Sequence, residues 1–458
     1  MPTTYHFGGG ASETVLSPAA AMAAVLATIL VLCLPRKYAI IPFLGFTFLA
    51  PLGEQLYLAG IHLFLLRIVL LVGCLRVIGA KLSSEESILP GGFNSIDKAF
   101  TLWAIFRGVA PIVLWMMAPA VINEVGFWWD AFGAYFLLRY LIQDDEDIRR
   151  TIRTFALLTP IIACGMIYEH FHMANLFGQI FGGIRMVPEI RVGKIRCQGS
   201  FQHPILAGSF AATLVPLFIW LWIGGESKVQ AVIGIVSSMI MVLSSNASTP
   251  VMALLGAPIA LALWPIRKHM RKLRWGIVVA VLGLALVMKA PVWFIVAHVD
   301  VTGSSSASDR AYLIDNCIRH FRDWWLIGVK NPGDWGDNMW DLSQQFVAEA
   351  ESGGLASLVC FIAMISLGFK KIGLARKAVE GDRKQEWYLW LLGGALFAHI
   401  MAFFGISYFD HTQVAWFALF AIICAATASR IGSVKRKREA EPSEDDRAQV
   451  VSLEPLTA

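Results

Sequence analysis

The chain has 458 residues, of which 57% are hydrophobic and 16% are charged, and its mean hydropathy is +0.61. Soluble domains carry about 25% charged residues, so this composition argues against a soluble protein and for a chain that lies in lipid. The net charge of +5 is small and confined to short clusters, which favours orientation in a membrane over binding to nucleic acid.

Apolar runs of about 16 to 23 residues recur along the whole chain, as bilayer-spanning helices require. They predict an all-α polytopic membrane protein with about 13 transmembrane helices, with 12 and 14 as alternatives. No basic segment precedes the first run, so it is predicted to be a retained helix and not a cleaved signal peptide. The predicted spans are 16–34, 38–59, 61–80, 99–121, 126–142, 155–170, 204–224, 230–247, 250–266, 276–297, 354–369, 387–407 and 411–429.

Clusters of Lys and Arg predict the side of each loop, because cytoplasmic loops carry the excess of these residues. Even numbers of predicted spans separate the clusters, so all of them are predicted to be cytoplasmic. They lie at 35–37, 149–153, 267–274, 370–384 and 430–438. The N-terminus is then outside and the C-terminus inside. The expected organisation is one transmembrane domain (1–429) and a disordered cytoplasmic tail (430–458).

Two long loops fall on the outside, at about 171–203 and 298–353. The first is basic, with Glu189 as its single acid, against the rule that positive charge stays inside. Its Arg191, Lys194 and Arg196 are residue types that grip phosphate or pyrophosphate oxygens. The alternatives are a loop that binds lipid headgroups or that pairs with acidic residues of the other loop.

The second loop predicts an amphipathic helix within 308–336. Arg310 falls in its first turn, where a cation is unfavourable against the helix dipole unless an anion compensates. An anionic ligand is one source of that compensation, and a surface pair with Asp309 or Asp315 is the other.

A second external helix is predicted at 339–355, leading into the next span. Asp341 and Gln345 lie four residues apart and share one face, which Glu349 and Ser352 continue. A carboxylate there is suited to act as general base toward a hydroxyl group. The alternative is a solvated acidic face.

Charged residues also occur inside the predicted spans, where they are costly and usually face a polar interior. Arg67 and Arg107 lie in the middle of their spans, which favours a functional role. Arg139 is near a cytoplasmic end and is expected to extend toward the interface. The segment 410–412 (Asp-His-Thr) lies at an outer mouth, where a site role and simple solvation both fit.

Sequence motifs for metals and common cofactors are missing. The seven cysteines have no metal-ligand spacing, and no Walker loop, zincin helix or dinucleotide fingerprint occurs. The external loops carry no Asp-x-Asp pair of the kind that metal-dependent glycosyl and phosphoryl transferases use. The sequence therefore predicts no metal and no cofactor.

Three blocks in the external loops resemble the O-antigen ligase and O-antigen polymerase superfamily of bacterial inner-membrane proteins. They are RVGKIRCQGSFQHPILAGSF, DRAYLIDNCIRHFRDWWLIGV and LSQQFVAEAESGGL. The blocks cover 55 residues, and the multispan layout extends the likeness along most of the chain. A histidine of the family's third block is replaced here at or beside Leu342, which favours a polymerase, or a ligase to another acceptor, over a lipid A-core ligase.

The resemblance implies a C-type (GT-C) glycosyltransferase fold and a metal-independent, inverting transfer on the periplasmic face. The donor would be a polyprenyl-pyrophosphate-linked glycan, the acceptor a sugar hydroxyl, and the product O-antigen or exopolysaccharide. Other polysaccharide-assembly proteins are further expected partners.

The expected catalytic residues are Arg196 and Arg310, which would neutralise the pyrophosphate, and His203 or Asp341, which would take or position the acceptor proton. The expected substrate-binding residues are Arg191, Lys194, Gln345, Arg67 and Arg107. The alternatives are a transporter or flippase of lipid-linked oligosaccharide and a non-catalytic scaffold.

Overall fold

The computed structural model describes residues 13–58, 61–83, 87–225, 227–298, 306–336, 339 and 343–440. These residues are mostly helical. The α-helices are α1 (Pro18–Cys33), α2 (Arg36–Leu49), α3 (Leu65–Leu82), α4 (Ser95–Trp115), α5 (Ala118–Leu141), α6 (Asp145–His172), α7 (Leu176–Phe181), α8 (Pro204–Gly224), α9 (Lys228–Ser244), α10 (Ser248–Leu254), α11 (Gly256–Leu263), α12 (Met270–Val287), α13 (Ser306–Arg319), α14 (Phe321–Trp324), α15 (Gln345–Ala378), α16 (Arg383–Phe403) and α17 (Thr412–Ala440).

Two small antiparallel hairpins complete the described structure. One pairs β1 (Gln55–Leu58) with β2 (Ile61–Phe64), and the other pairs β3 (Glu189–Arg191) with β4 (Lys194–Arg196). Short 3-10 helices occur at Trp264–His269, Val292–His298 and Pro332–Trp335.

Seven helical segments in the described part of the chain are long and apolar enough to cross a membrane. They are Ser95–Trp115, Asp145–His172, Pro204–Gly224, Ser248–Val287, Gln345–Ala378, Arg383–Phe403 and Thr412–Gly432. Helices α1 and α9 are also apolar but shorter. The predicted class, an all-α polytopic membrane protein, is therefore confirmed. The count of 12 to 14 spans and the GT-C topology stay predictions.

The basic segment 267–274 was expected to be a loop between two spans, but it is helical. The 3-10 helix Trp264–His269 and the first turns of α12 contain it, within a helical stretch from Ser248 to Val287. A straight helix of that length would be about 60 Å, twice the hydrocarbon thickness. Seven of the eight residues in this segment are Met, Arg, Lys or Leu, which all have high helix propensity, so charge alone did not break the helix.

The predicted cytoplasmic clusters meet at one end of the helix bundle, here called the basic end. Each cluster contributes to a chain of ion pairs and hydrogen bonds there. The ion pairs are Arg36–Asp147, Arg430–Asp145, Arg267–Glu386 and Lys268–Glu380, with N···O distances of 2.7, 3.0, 2.9 and 2.7 Å. Arg150 joins them by donating to the carbonyl of Lys37. The clusters therefore meet at one end of the bundle, and their assignment to the cytoplasmic side of a membrane stays a prediction.

The prediction for Arg139 is wrong. Its side chain is fully buried and does not extend to an interface. The reason is Asp97 on α4, which pairs with Arg139 at 2.8 Å, while Tyr135 donates to the same carboxylate. A buried counter-charge makes it unnecessary for the guanidinium to reach water.

The opposite end of the bundle, here called the loop end, carries both predicted external loops. Between α6 and α8 lie α7 and the β3–β4 hairpin, and before α15 lie α13 and α14. The second predicted external helix and the span after it form one helix, α15, interrupted at Gly354, where φ is +67°. The interruption at Gly354 thus coincides with the predicted start of the span 354–369.

A cluster of aromatic side chains packs against the loop between β4 and α8, at the loop end. Phe48 of α2 stacks on Phe210 of α8 with ring centroids 4.6 Å apart, and Phe155 of α6 meets Phe48 edge-on at 5.6 Å. Phe201, in the loop after β4, packs at 5.1 Å from Phe210. Rings of this kind are worth about 0.5–1.5 kcal/mol per pair beyond burial, so three helices hold this loop firmly.

Candidate functional site

The β3–β4 hairpin places the predicted anion-binding residues. Its register pairs Glu189 with Arg196 and Arg191 with Lys194. The two turn residues between them, Val192 and Gly193, both have positive φ, which is the geometry of a two-residue hairpin turn. As a result Arg191 and Lys194 are exposed at the tip, whereas Arg196 is buried at the base, with 3% of its surface accessible.

Arg196, Glu189 and His203 form the charged centre of the loop end, here called the hairpin cluster. Nη1 of Arg196 donates to Oε1 of Glu189 at 2.8 Å, and Nε2 of His203 lies 3.8 Å from Oε2 of the same carboxylate. Nε of Arg196 is buried and has no hydrogen-bond partner among the described residues. Glu189 therefore binds the guanidinium through Nη1, whereas the Nε–H group donates to none of the described residues.

His203 is held as a neutral ring. It is the N-cap of α8, and Nδ1 accepts the N–H of Ile205 at 3.2 Å. Burial, followed by the charge of Arg196, lowers the pKa of His203 to about 4. Because Nδ1 accepts a hydrogen bond, this assigns the ring proton to Nε2, which points at Glu189. In this arrangement Nε2–H of His203 faces the Glu189 carboxylate at 3.8 Å, and the ring is not set up as a base.

Burial also lowers the pKa of Arg196 below its usual value, an effect that the neighbouring carboxylate of Glu189 opposes. Guanidinium groups nevertheless stay protonated in proteins. The low local dielectric strengthens the attraction of this guanidinium for Glu189, or for an anion that takes the place of Glu189.

Glu169, a buried carboxylate near the end of α6, fixes the loop that follows Arg196. Its Oε2 accepts the backbone N–H groups of Gln198 and Gly199 at 3.0 and 2.9 Å. Gly199 has φ +60°, and a Cβ there would meet side-chain atoms of Ile162 and Met166 at 3.0 and 3.1 Å. The N–H groups of Gln198 and Gly199 are therefore directed at Glu169, and the close packing at Gly199 favours glycine there.

Asp410, which lies just before α17, accepts a hydrogen bond from the loop that follows Arg196. Its Oδ2 accepts the N–H of Gln202 at 3.3 Å, and its Oδ1 accepts the N–H of Thr412 at 2.8 Å. Only 4% of Asp410 is exposed, so the solvation alternative for segment 410–412 is wrong. The loop before α17 is thereby joined to the hairpin cluster.

Gln345, at the start of α15, connects this loop to a buried carboxylate. Its Oε1 accepts the N–H of Tyr408 at 2.7 Å, and its Nε2 donates to Glu349 at 2.8 Å. Glu349 also accepts from Trp103 and Ser357 at 2.8 and 2.9 Å. The amide of Gln345 is thus bonded on both sides, which is the geometry of a positioning residue.

The two predicted intramembrane arginines lie in different surroundings. Arg107 lies close enough to Glu349 to attract its charge, with its guanidinium 5.5 Å from the ring centre of Phe127. Arg67 is paired with Asp130, with 2.7 Å between its Nη2 and a carboxylate oxygen, and its Nε also donates to Asp130. Arg107 therefore belongs to the network of Gln345, and Arg67 to a separate ion pair.

Arg310 lies on α13 and is 6% exposed. Asp315, one of its expected partners, is hydrogen-bonded to Arg319 and Trp293 at 2.7 and 3.1 Å. The helix α13 packs against the 3-10 helix Val292–His298 and against α15. Asp341, the other expected titratable group of this region, lies outside the described residues.

An apolar cavity of about 560 Å³ opens beside α13, between α13, α14 and the start of α15. Ile314, Cys317 and Phe321 line it, and they follow Arg310 at helical spacing on one face. Across the cavity lie Phe346, Val347, Ala350 and Phe404. The predicted amphipathic face of this helix is thus real, and its partly exposed members Ile318 and Phe321 face this cavity.

The short segment 404–410 links the cavity to the hairpin cluster. Phe404 lines the cavity, Tyr408 is bonded to Gln345, and Asp410 holds Gln202 next to His203. The ring of Phe409 also lies 6.5 Å from that of His203. Cationic groups and an apolar cavity are therefore neighbours at the loop end.

Sequence reasoning missed Glu169, an acidic residue embedded in an apolar helix, because only cations and histidines were considered in the predicted spans. Glu349 was noticed only as a continuation of the face of Asp341 and Gln345, and its burial was not predicted. A carboxylate in such a position is costly and needs donors, so it was a usable signal. Glu189 was noticed as the single acid of the basic loop but was given no role.

The chain matches none of the protein-family models and none of the curated proteins with which it was compared. Within the described residues, no group of three or more His, Cys, Asp and Glu side chains is arranged to hold a metal ion.

Proposed function

We propose that this protein is a membrane glycosyltransferase with a GT-C fold, which transfers a glycan from a polyprenyl pyrophosphate to a sugar hydroxyl on the periplasmic face. It would polymerise or ligate surface polysaccharide, O-antigen or exopolysaccharide, in the bacterial inner membrane. The observation that carries the proposal is the hairpin cluster joined through segment 404–410 to an apolar cavity.

The donor has two chemically different parts, and the loop end offers a match for each. A polyprenyl chain is apolar and suits the cavity of about 560 Å³. Its pyrophosphate is anionic and suits arginine, which binds phosphate oxygens through two parallel N–H groups. Arg310 lies two helical turns, or about 10 Å, before the cavity residue Cys317. A cation therefore lies on the same helix as the wall of the apolar cavity.

In the proposed reaction the acceptor oxygen attacks the anomeric carbon as the bond from that carbon to the pyrophosphate oxygen breaks. The electron pair of that bond goes to the pyrophosphate, and inversion follows from the single displacement. Arg196 and Arg310 stabilise the developing charge, an effect worth about 10²-fold or more in rate per group. The exposed Arg191 and Lys194 steer the anion to the site.

The acceptor proton needs a base. His203 donates through Nε2, so it positions a substrate oxygen in this scheme. Glu189, beside His203, is the carboxylate that the hairpin cluster supplies, and it takes the proton once the donor pyrophosphate replaces it as the partner of Arg196. Asp341 is the alternative base from the other loop.

The test uses proteoliposomes with polyprenyl-pyrophosphate oligosaccharide, an acceptor glycan and a chelator of divalent metals. The expected products are longer glycans and free polyprenyl pyrophosphate, both reduced about 100-fold or more in Arg196→Gln and Arg310→Gln. Arg274→Gln, an exposed arginine on α12, is the matched control and should retain activity.

Wild-type yields from both variants would overturn the proposal. A flippase of lipid-linked oligosaccharide, the alternative class, gives a different result in the same vesicles. Labelled donor would cross the bilayer, and neither longer glycans nor free polyprenyl pyrophosphate would form.

A further inference from the structure

A second cavity, of about 180 Å³, lies at the basic end and is separate from the hairpin cluster. Its wall is formed by the first turns of α6 and α16, by the last turns of α8, and by the part of α17 around Arg430. Four helices therefore meet around a pocket that the proposed glycosyl transfer does not use.

The charge of this pocket is positive. Its wall contains Arg149, Lys384 and Arg430 against one carboxylate, Asp145. Arg430 donates to the two oxygens of Asp145 at 3.1 and 3.0 Å. Arg149 and Lys384 line the same wall, so its cations outnumber its carboxylates by three to one.

Tyr388 supplies an independent sign that a ligand belongs here. It lines the pocket, it is 3% exposed, and its hydroxyl has no hydrogen-bond partner among the described residues. Its ring is fixed between Trp220, with centroids 4.5 Å apart, and the guanidinium of Arg430 at 4.8 Å. A buried hydroxyl without an acceptor costs free energy that a bound anion would return.

The helix ends themselves do not provide the attraction. Asp144 caps α6 by accepting the N–H of Asp147, and Asp382 caps α16 by accepting those of Lys384 and Gln385. Three of the N-terminal N–H groups are thus already bonded to acidic caps, and the excess of positive charge in the pocket wall is carried by side chains.

Apolar surface adjoins the pocket. Ile223, which lines it, and the neighbouring Trp222 are 38% and 46% exposed, and Val229 on α9 is 72% exposed. Tryptophan next to basic side chains is typical of the level at which lipid headgroups lie, and basic pockets between transmembrane helices bind anionic headgroups.

We propose that this pocket binds a phosphate group, with Arg149 and Lys384 as the charge partners and the Tyr388 hydroxyl as a hydrogen-bond donor. The phosphate would come from an anionic phospholipid headgroup or from a soluble phosphate ester on the same side. This inference does not depend on the glycosyltransferase proposal, because it concerns the other end of the molecule.

The experiment is native mass spectrometry of the purified chain after titration with phosphatidylglycerol, and separately with phosphatidylcholine. We expect selective retention of phosphatidylglycerol. Each cation removed should weaken it about five-fold, so Arg149→Gln/Lys384→Gln should bind about 25-fold more weakly. Tyr388→Phe should weaken binding less, since it keeps the ring packing. Lys272→Gln, an exposed lysine on α12, is the matched control and should bind as the wild type does.

A second arm adds glycerol 1-phosphate as competitor. Displacement of the lipid at equal concentrations identifies a soluble phosphate ester as the ligand, whereas undiminished lipid retention identifies the headgroup. Equal retention of the two lipids, together with no binding of glycerol 1-phosphate, would overturn the proposal. So would equal affinities in Arg149→Gln/Lys384→Gln and Lys272→Gln.

Discussion

The imidazole of His203 makes folding stability depend on pH at the loop end. Its pKa is lowered to about 4 from an ordinary value of 6.5, so between these two pH values the unfolded chain binds more protons than the native one. Stability from this group is therefore complete above about pH 6.5 and falls as the pH drops toward 4, by about 3 kcal/mol at most.

We predict that the melting temperature in detergent falls more between pH 7 and pH 5 in the wild type than in His203→Gln, which has no ring to protonate. His320→Gln is the control, since that histidine is 38% exposed and lies on a different segment. Equal pH slopes in wild type and His203→Gln would show that burial of this ring does not control its protonation.

At the same scale, the chemistry of the loop end was partly predictable. Arg191, Lys194 and Arg196 stood out because cations on an outer loop oppose the usual charge distribution. That reasoning did not predict which of the three side chains is buried and which two are exposed. The register of the hairpin, set by a two-residue turn, buries Arg196 against Glu189 and leaves Arg191 and Lys194 in solvent. Strand register depends on turn geometry, which a count of charges does not contain.

At the scale of elements, α15 depends on one glycine. Gly354 has φ +67° and ψ −170°, a region that is essentially restricted to glycine. A Cβ there would lie 2.7 Å from the carbonyl oxygen of Leu326. The kink therefore lets the loop after α14 pack against the backbone of α15, where Leu355 also donates to Trp325.

We predict that Gly354→Ala lowers the free energy of unfolding by about 1–3 kcal/mol. Gly373→Ala on the same helix is the matched control. A Cβ at Gly373 meets no atom within 4 Å, so this change should be neutral or stabilise the helix by up to about 1 kcal/mol. Comparable melting temperatures for both variants would contradict the requirement for glycine at position 354.

The same helix shows which boundaries a sequence can predict. Gly353 and Gly354 lack side chains, and a break is expected there because glycine is the poorest helix former after proline. By contrast the basic segment 267–274 was mistaken for a loop. Its charges indicate a position near an interface, but long basic side chains leave a helical backbone intact, so hydropathy alone missed the continuation from α11 into α12.

At the scale of the whole molecule, the buried pair of Arg139 and Asp97 joins α5 to α4. Both side chains are fully buried, and the guanidinium also donates to the carbonyls of Pro90 and Gly92. Removal of one partner leaves an uncompensated charge inside the bundle, which costs about 3–5 kcal/mol, whereas replacement of both by apolar residues is often near neutral.

We predict that Asp97→Leu has a much lower melting temperature and yield than Asp97→Leu/Arg139→Leu. The comparison is a matched one, since both variants lose the same ion pair and only the first leaves a buried cation. A double variant less stable than Asp97→Leu would mean that Arg139 stabilises the bundle through the carbonyls of Pro90 and Gly92 more than through Asp97.

The orientation of the whole bundle decides whether the hairpin cluster meets a periplasmic donor. The positive-inside tendency predicts that the basic end faces the cytoplasm, and the ion pairs show that its members share one end. A cysteine-free variant offers two reporter positions, Lys194→Cys at the hairpin tip and Lys272→Cys on α12, and both positions are exposed.

A maleimide that does not cross membranes should label Lys194→Cys in intact cells. It should label Lys272→Cys only after the cells are opened, because that position is predicted to face the cytoplasm. The opposite pattern would put Arg196 inside the cell, where a donor displayed in the periplasm cannot reach it. In that case the glycosyltransferase proposal would hold only if the protein used a donor on the cytoplasmic side. The labelling therefore tests where the site lies, independently of the reaction that it performs.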